Sequence, residues 1–416
     1  MQIVLPSSCS RILLKTICLC ATLAYVGTAA RDYLAYWLAS SEQRDRLEKA
    51  IALDPTNAEY RHRLGYYFMF VERRSDMAVP MYKSAVTLNP HIAEYWLDLA
   101  SAYAAVGAPE QQEQALNRAV EVEPRTPLIL QQAATAFVVR GELKKAFKLF
   151  RSALEGDPSE DEPTITLCWQ AAHNVDAMKD VLPRTPQAYF VFLSLLISEQ
   201  NDIAAQKTWS DLISLSQRFP LQLARPYLDY LVMQRQFEAV RAAWVDLAKV
   251  DVDFRRYLPS AENLIVNGSF EEPLLNMGFD WRYADRSDAK FALDGEQARQ
   301  GSRSLLVSFD GEALVDIGVS QLIALDANTR YSFRAYVKSD NIFAAHGPRF
   351  VISTVDTRSS LLLTDELLGT SAWKQVGGTF ATDPTTRMVL LKVMRAPGAG
   401  RITGRFWIDA VSLVRE

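Results

Sequence analysis

Residues 263–272 read NLIVNGSFEE, and they mark an abrupt change in the pattern of the chain. The residues before them are rich in Ala, Leu, Gln and Glu, and their apolar side chains recur at helical spacing. From Asn263 onward the hydrophobic period becomes two, with this segment expected to be the first strand. In YSFRAYVKS, at 331–339, one face carries Tyr331, Phe333, Ala335 and Val337, and the other carries Ser332, Arg334, Tyr336 and Lys338. The sequence therefore predicts a helical region followed by a separate β region.

Composition narrows the range of functions. The chain has 416 residues, enough for two or three domains, with 45 basic and 49 acidic side chains and a net charge of −4. No block of Lys or Arg stands out, so we expect no nucleic-acid partner. Of the cysteines, Cys9, Cys18 and Cys20 lie near the N-terminus. Cys168 is left alone in the rest of the chain, and we expect it to be a small buried residue of a helix.

The N-terminus predicts a membrane segment. Residues 12–30, ILLKTICLCATLAYVGTAA, are apolar apart from Lys15 and follow Arg11. A helix of this length just spans a bilayer if Lys15 reaches back to the surface. We expect residues 1–30 to be an uncleaved signal anchor, with the bulk of the chain in the periplasm or outside the cell. The alternatives are a signal peptide cleaved near residues 27–30 and the buried first helix of a cytosolic protein.

An internal repeat organises the helical region, residues 31–250. Similar segments end at Pro55, Pro90, Pro124 and Pro158, at spacings of 35, 34 and 34 residues. Small residues inside the units, at Gly65, Ala100 and Ala134, predict the close approach of two helices, and proline ends each unit because it lacks an N–H group. The pattern resembles the tetratricopeptide repeat (TPR) family. This resemblance implies a solenoid of stacked α-hairpins, which we expect to be followed by a linker at residues 251–261.

The TPR resemblance also implies where a partner binds. Ligands of this family usually lie in a groove lined by the first helix of each pair. The corresponding positions are Glu59, His62, Tyr66, Met69, Phe70, Leu97 and Gln131. They lack the Lys, Arg and Asn residues that clamp a peptide carboxylate, so we expect an extended or helical protein segment as partner. Alternatively, this face only covers the next helix.

The β region, residues 262–416, has short alternating runs between turns such as FDGE, LDANT and APGAG, which predict an antiparallel β-sandwich. NLIVNGSFEE, GSRSL, WKQVGGTF and FWIDAVSL resemble the carbohydrate-binding-module-like jelly rolls of the galactose-binding superfamily. The resemblance implies that the first and last strands meet and hold a structural calcium ion through Glu271, Asp409 and backbone carbonyls. Alternatively, both carboxylates accept backbone N–H groups at strand ends.

The same resemblance implies a glycan ligand, because such modules stack aromatic rings on sugar rings. The candidates are Trp281 and Tyr283 in GFDWRYAD and Trp373 in SAWKQV, with Arg282 and Asp285 as hydrogen-bonding groups. Trp281 and Trp373 have a second interpretation, as packing residues.

The sequence contains no recognisable catalytic motif. The four histidines form no zinc-hydrolase pair, and there is no Gly-x-Ser-x-Gly elbow or phosphate loop. We therefore expect a non-catalytic, exported and membrane-anchored adaptor that binds a protein through its solenoid and a glycan through its jelly roll. A role in assembling or exporting cell-surface polysaccharide is the hypothesis that follows. The alternatives are a protein-interaction scaffold without a sugar ligand and a glycosidase with two facing carboxylates.

Overall fold

A computed structural model describes residues 8–41, 43–156, 161–284 and 287–416. The chain forms two compact units, Met1–Pro183 and Arg184–Glu416. The predicted order, helices followed by an antiparallel β-sandwich, is confirmed. The division between the units lies inside the predicted solenoid, so the helices just before residue 250 belong to the same unit as the sandwich.

The first unit is helical. Its helices are α1 (Ser8–Ala39), α2 (Arg44–Leu53), α3 (Ala58–Tyr66), α4 (Ser75–Leu88), α5 (Ala93–Ala105), α6 (Pro109–Val122), α7 (Pro127–Val139), α8 (Leu143–Gly156), α9 (Asp161–Ala172) and α10 (Val175–Met178). A π-helical turn, Tyr67–Val71, continues α3. Helix α1 is long and apolar enough over Ile12–Ala39 to cross a membrane, a property shared by anchors and signal sequences.

Helical hairpins follow the predicted repeat. Helix α3 packs on α4, α5 on α6, and α7 on α8. Pro55, Pro90 and Pro124 lie in the turns between successive pairs, and Pro158 lies outside the described residues. A Cβ atom at Gly65 would lie 2.8 Å from the ring of Tyr82 in α4. Glycine therefore permits the close approach of these two helices, as the sequence predicted.

The second unit begins with helices α11 (Pro186–Ser198), α12 (Asp202–Ser214), α13 (Arg225–Met233) and α14 (Phe237–Val250). The segment predicted as a linker, 251–261, contains a 3-10 helix, Val252–Tyr257, in which Phe254 and Tyr257 are buried. This segment is therefore packed against its surroundings. Side chains predicted to be in the core are buried throughout the helices: Trp169, Trp209, Trp244 and Cys168.

The sandwich consists of two five-stranded antiparallel sheets. Sheet 1 has the order β1-β4-β9-β6-β7, and sheet 2 has the order β2-β3-β10-β5-β8. The strands are β1 (Arg282–Tyr283), β2 (Ala289–Asp294), β3 (Ser304–Ala313), β4 (Asp316–Ala324), β5 (Arg330–Phe343), β6 (Arg349–Thr354), β7 (Ser360–Leu363), β8 (Gly369–Ala381), β9 (Met388–Met394) and β10 (Arg401–Arg415). Apolar residues on the facing sides of the sheets form one core.

The segment 263–272, expected to be the first strand, is a turn. The Leu264 N–H donates to the Leu413 carbonyl at 2.9 Å, and the Val411 N–H donates to the Gly268 carbonyl at 2.8 Å. The two ends of the sandwich therefore meet as predicted. The chain then turns because Asn267 has a φ of 48° and its side chain bonds both the N–H and the carbonyl of Glu272.

Helices α13 and α14 lie against the side of sheet 1 that holds β1 and β4. Trp244 of α14 packs edge to face on Phe279, with ring centres 5.8 Å apart. Arg282 of β1 forms an ion pair with Asp229 of α13 at 2.8 Å. Trp244, Val245 and Ala324 of β4 line one small cavity. The helices thus cover part of the outer face of sheet 1.

Candidate functional site

Trp281, the first residue predicted to stack on a sugar, is 1% exposed. Its ring centre lies 5.1 Å from that of Phe270, and its Nε1 donates to the Asn267 carbonyl at 3.0 Å. The ring therefore packs inside the sandwich, and its N–H group is already hydrogen-bonded there. This corrects the expectation of ligand contact and leaves the packing interpretation of Trp281.

The other predicted glycan residues do not come together. Arg282 is held by Asp229, and Tyr283 is half-buried, with its ring centre 5.9 Å from that of Phe291. Trp373 is half-buried on β8, at the edge of sheet 2, whereas Tyr283 lies in sheet 1. Asp285 lies outside the described residues.

The outer face of sheet 2 carries a different set of polar and aromatic residues. On β5, Ala335 and Val337 point into the core, so Arg334, Tyr336 and Lys338 point outward. On the neighbouring strand β10, Phe406 and Ile408 belong to the core. Arg405, Trp407 and Asp409 therefore lie on the outer face of sheet 2.

A hollow of about 390 Å³ opens on this face above Trp407, and we call it the tryptophan hollow. Its lining includes Asp294, Gln297, Lys338, Asp340, Arg405 and Trp407. The Trp407 ring is only 3% exposed, because Lys338 and Arg405 lie 5.2 and 5.3 Å from its centre. Its Nε1 donates to Asp294 Oδ2 at 2.7 Å. Trp407 thus forms the base of the hollow, and its ring is too buried to stack on a ligand.

The charges of the tryptophan hollow are compensated. Arg405 pairs with Asp340, and the Lys338 ammonium donates to the side-chain oxygen of Gln297. Burial raises the pKa of Asp294, but hydrogen bonds from Trp407 and from the N–H groups of Glu296 and Gln297 outweigh it, so that this pKa is lowered. A general acid of a glycosidase needs a raised pKa, and Asp294 has the opposite shift.

A second hollow of about 290 Å³ lies further along the same two strands, and we call it the tyrosine hollow. Its lining includes Asn263, Gln300, Arg334, Tyr336, Gln375 and Ser412. The Tyr336 hydroxyl bonds the side-chain oxygen of Gln375 at 3.1 Å. The guanidinium of Arg299 lies 4.6 Å from the centre of the Tyr336 ring. Amides, a phenol and guanidinium groups therefore converge on one open surface.

The loop at 295–303 is fixed beside both hollows by the two acids predicted to bind calcium. Glu271 accepts the N–H groups of Ser302 and Arg303 at 2.8 and 2.9 Å. Asp409 accepts those of Arg299 and Gln300 at 2.6 and 2.9 Å. Both carboxylates thus make the backbone hydrogen bonds of the alternative interpretation, near the point where the ends of the sandwich meet.

The calcium ion itself stays a prediction. Burial raises the pKa of Asp409, and the nearby negative charge of Glu271 raises it further, whereas hydrogen bonding by Ser302 lowers the pKa of Glu271. Two neighbouring carboxylates of this kind suit a hard cation, which also needs main-chain oxygens. Among the described residues, no group of three His, Cys, Asp or Glu side chains is arranged to hold a metal.

Most of the predicted groove residues in the helices line two further hollows. Glu59, His62 and Tyr66 line one of about 290 Å³, and Leu97 and Gln131 line another of about 430 Å³. Met69 accepts a hydrogen bond from Ser75, and Phe70 packs 4.6 Å from Tyr66.

Hydrogen bonds across this face tie successive helix pairs together. His62 Nε2 lies 2.6 Å from Asp98 Oδ2, and the Tyr95 hydroxyl donates to Glu59 at 2.7 Å. Both contacts join α3 to α5. The polar residues of this face therefore have structural roles as well as exposed edges.

The residues of sheet 2 that the sequence reasoning missed had a detectable signal. Tyr336 stands on the polar side of the alternation in YSFRAYVKS, and Trp407 alternates with the core residues Phe406 and Ile408. An aromatic residue on the outward side of a strand is not needed for the core, and this is the signal for a surface role.

Residues 262–398 match the family model of a carbohydrate binding domain. A comparison with curated proteins gives no match. Among solved structures, one described as "CBM4 structure and function" is similar at 14% identity, covering 36% of this chain and 99% of that chain, with a TM-score of 0.29. The CBM22-1 xylan-binding domain of Paenibacillus barcinonensis Xyn10C has 17% identity, 36% and 91% coverage and a TM-score of 0.25.

The C-terminal part of a TPR repeat-containing protein from Cytophaga hutchinsonii is similar at 13% identity, covering 54% of this chain and 95% of that chain, with a TM-score of 0.31. The family recognised from the sequence of the β region is confirmed by the family model, and the α-hairpin repeat is visible in the packing of α3–α8. The chain therefore carries a C-terminal carbohydrate binding domain behind a series of helical repeats.

Proposed function

We propose that the protein is an exported, membrane-anchored and non-catalytic adaptor whose sandwich binds a glycan on the outer face of sheet 2. The observation that carries this proposal is the open surface around Tyr336 and the tryptophan hollow. Carbohydrate sites combine an aromatic ring with a few convergent polar groups, and this face has both. The matched family is one of carbohydrate binding, which supports the same function.

The proposed binding site differs from the one expected from sequence. Tyr336 supplies a half-buried aromatic ring that lies beside the hollow and is approached from one side by Arg299, and Gln300, Gln375 and Arg334 supply donors and acceptors beside it. Trp407 acts from below by positioning Lys338 and Arg405. Trp373 remains a candidate at the edge of the same sheet.

A glycan array probed with the full chain tests this proposal, with and without calcium. The chain should be held in a detergent without a sugar head group. We expect Tyr336→Ala to reduce retention of the bound glycans about tenfold, the size of one lost aromatic contact. Phe343→Ala is the matched control, because Phe343 lies on the same strand and is 83% exposed. Retention of no glycan by the wild-type chain would favour the protein-interaction scaffold instead.

The helical unit supplies the second half of the proposed adaptor. Tyr66 and Phe70 are 51% and 53% exposed beside the hollow of the first repeat, and they suit an apolar protein segment. Helix α1 would hold this unit at a membrane surface, with the bulk of the chain exported. The pairing of a membrane segment, repeats and a carbohydrate binding domain motivates a role in assembling or exporting cell-surface polysaccharide.

The position of α1 can be tested separately. We expect Trp37, 50% exposed at the end of this helix, to be quenched by brominated lipids when the full chain is reconstituted into vesicles. Trp37→Phe should remove this quenching, and Trp96→Phe should leave it unchanged. Recovery of a shortened chain from cells, lacking residues 1–30, would instead show a cleaved signal peptide.

A further inference from the structure

We propose that the tyrosine hollow selects an acidic glycan, one that carries uronate carboxylates, and that Arg334 and Arg299 bind the carboxylate. This inference rests on the proposed glycan-binding function and names the chemical class of its ligand. It follows from the unequal distribution of charge between the two hollows of sheet 2.

The cations of the tryptophan hollow already have partners. Arg405 is paired with Asp340, and Lys338 is bound to Gln297 beside Asp294. A ligand carboxylate there would compete with acids that are already in place. Neutral hydroxyl groups suit that half of the surface better.

The tyrosine hollow is different, because its cations are not compensated. Arg334 and Arg299 are exposed, and within the described parts of the chain neither forms an ion pair or donates a side-chain hydrogen bond. Arg334 lies two residues from Tyr336 on β5 and therefore on the same face, while Arg299 lies over the Tyr336 ring.

Two acids near this hollow are engaged by backbone N–H groups of the 295–303 loop. Asp409 is fully buried and accepts the backbone N–H groups of Arg299 and Gln300. Glu271 is bound to Ser302 and Arg303. The remaining lining side chains, among them Asn263, Gln300 and Gln375, are neutral. The hollow thus presents positive charge beside an aromatic ring.

A uronate matches this arrangement. Its carboxylate accepts paired hydrogen bonds from a guanidinium group, and the C–H face of its ring packs on a phenol ring. A neutral sugar would satisfy the ring and the amides but would bring no anion to either guanidinium group.

The test compares oligogalacturonate with its methyl ester, which has the same backbone and no charge. Binding of each to the full chain is measured by calorimetry at low and high salt. We expect the acid to bind about tenfold more tightly at low salt, with the difference shrinking as salt rises. Arg334→Gln should remove most of this preference and leave binding of the ester within about twofold.

Arg330→Gln is the matched control. Arg330 lies on the same strand and loses the same charge when substituted, but it is already paired with Glu416 at 3.1 Å. Equal affinity of the wild-type chain for acid and ester, or an equal loss in both variants, would overturn the acidic-glycan inference while leaving glycan binding intact. Binding of neither ligand, on a chain that also retains nothing on the array, would remove the proposed function as well.

Discussion

The two outer faces of the sandwich differ in what lies against them. On sheet 1, outward residues of β4 and β9 such as Leu322 and Met388 are apolar and 6% and 1% exposed. Helices α13 and α14 pack at the side of this sheet that holds β1 and β4. On sheet 2, the outward residues Arg334, Tyr336 and Lys338 are polar or aromatic and border open hollows.

This difference shows how a two-layer domain can divide its surfaces. A face that buries apolar side chains under helices contributes to stability, because burial removes those side chains from water. That face is then unavailable to a ligand. On the opposite face, Tyr336 borders an open hollow and is available for binding, whereas Trp407 is buried beside Lys338 and Arg405. Substitutions on the face of sheet 1 should therefore change mainly stability, and substitutions on the face of sheet 2 should change mainly ligand binding.

The largest effect is expected at Gly278, where the helices meet the sandwich. Gly278 has a φ of 53°, and a Cβ atom there would lie 2.1 Å from the Trp244 ring. We expect Gly278→Ala to lower the free energy of unfolding by about 4 kcal/mol, from overpacking together with backbone strain. Denaturant titration of the full chain measures this loss.

Gly369→Ala is the control for backbone strain alone. Gly369 has a φ of 65° and open space around its Cβ position. Gly369→Ala should lower the free energy of unfolding by only about 1 kcal/mol. Equal losses in the two variants would mean that Trp244 does not press on the sandwich.

The next effect concerns the pH dependence of two aspartates. Burial raises the pKa of Asp280, in the loop beside Trp244, to about 7. The native state therefore holds this proton more tightly than the unfolded state does. Stability should fall as pH rises from about 4 to 7, and the loss from pH 5 to pH 8 should be about 2.5 kcal/mol. Asp280→Asn should remove this dependence in denaturant titrations at several pH values.

Asp294, which accepts the Nε1–H of Trp407 on the outer face of sheet 2, should show the opposite pH dependence of stability. Its pKa is lowered, so its stabilisation is present above about pH 4 and is lost as pH falls. Asp294→Asn should therefore be most harmful at neutral pH. If Asp280→Asn and Asp294→Asn changed the pH dependence of the unfolding free energy in the same direction, the contrast between the two aspartates would be wrong.

A smaller difference is expected between two tryptophans. Trp281→Phe leaves the Asn267 carbonyl without its donor inside the core and should cost about 2 kcal/mol. Trp407→Phe removes the bond to Asp294 at a surface hollow, where water can replace it, and should cost about 1 kcal/mol. Unfolding free energies of the two variants measure the difference. A larger loss for Trp407 would place it in the core.

The smallest effect is that of the predicted calcium ion. At about four times its Kd, calcium should stabilise the chain by about 1 kcal/mol and raise its Tm. Asp409→Asn and Glu271→Gln should each abolish the calcium-dependent shift, whatever their effect without calcium. A wild-type Tm that is the same with calcium and with a chelator would show that backbone hydrogen bonds are the whole role of these acids.

Several features of the fold could be predicted from local patterns. The 34-residue spacing of prolines and the small residues Gly65, Ala100 and Ala134 predicted hairpins, because helix ends and close approaches leave local signals. The alternation at 331–339 predicted a strand and its inward face. The segment 263–272 was misread as a strand because the positive φ of Asn267 and its bonds to Glu272 outweigh the β-branched run.

The candidate site was less predictable, because it depends on which surfaces remain open. Trp281 and Trp407 both lie on short β-like runs, and although alternation places Trp407 on the outward side of its strand, neither run shows which residues lie above the ring. Trp281 is a core residue because Phe270 packs against its ring. Trp407, by contrast, lines a hollow.

The sequence by itself determined the order of helical repeats and β-sandwich, since hydrophobic period and turn residues act between neighbours along the chain. Only the tertiary structure decided that α14 packs on the sandwich and that Arg299, 37 residues before Tyr336, lies over its ring. Contacts between distant residues depend on how the strands are ordered and which face the helices cover. The spacing of residues along a single strand determines neither the strand order nor the covered face.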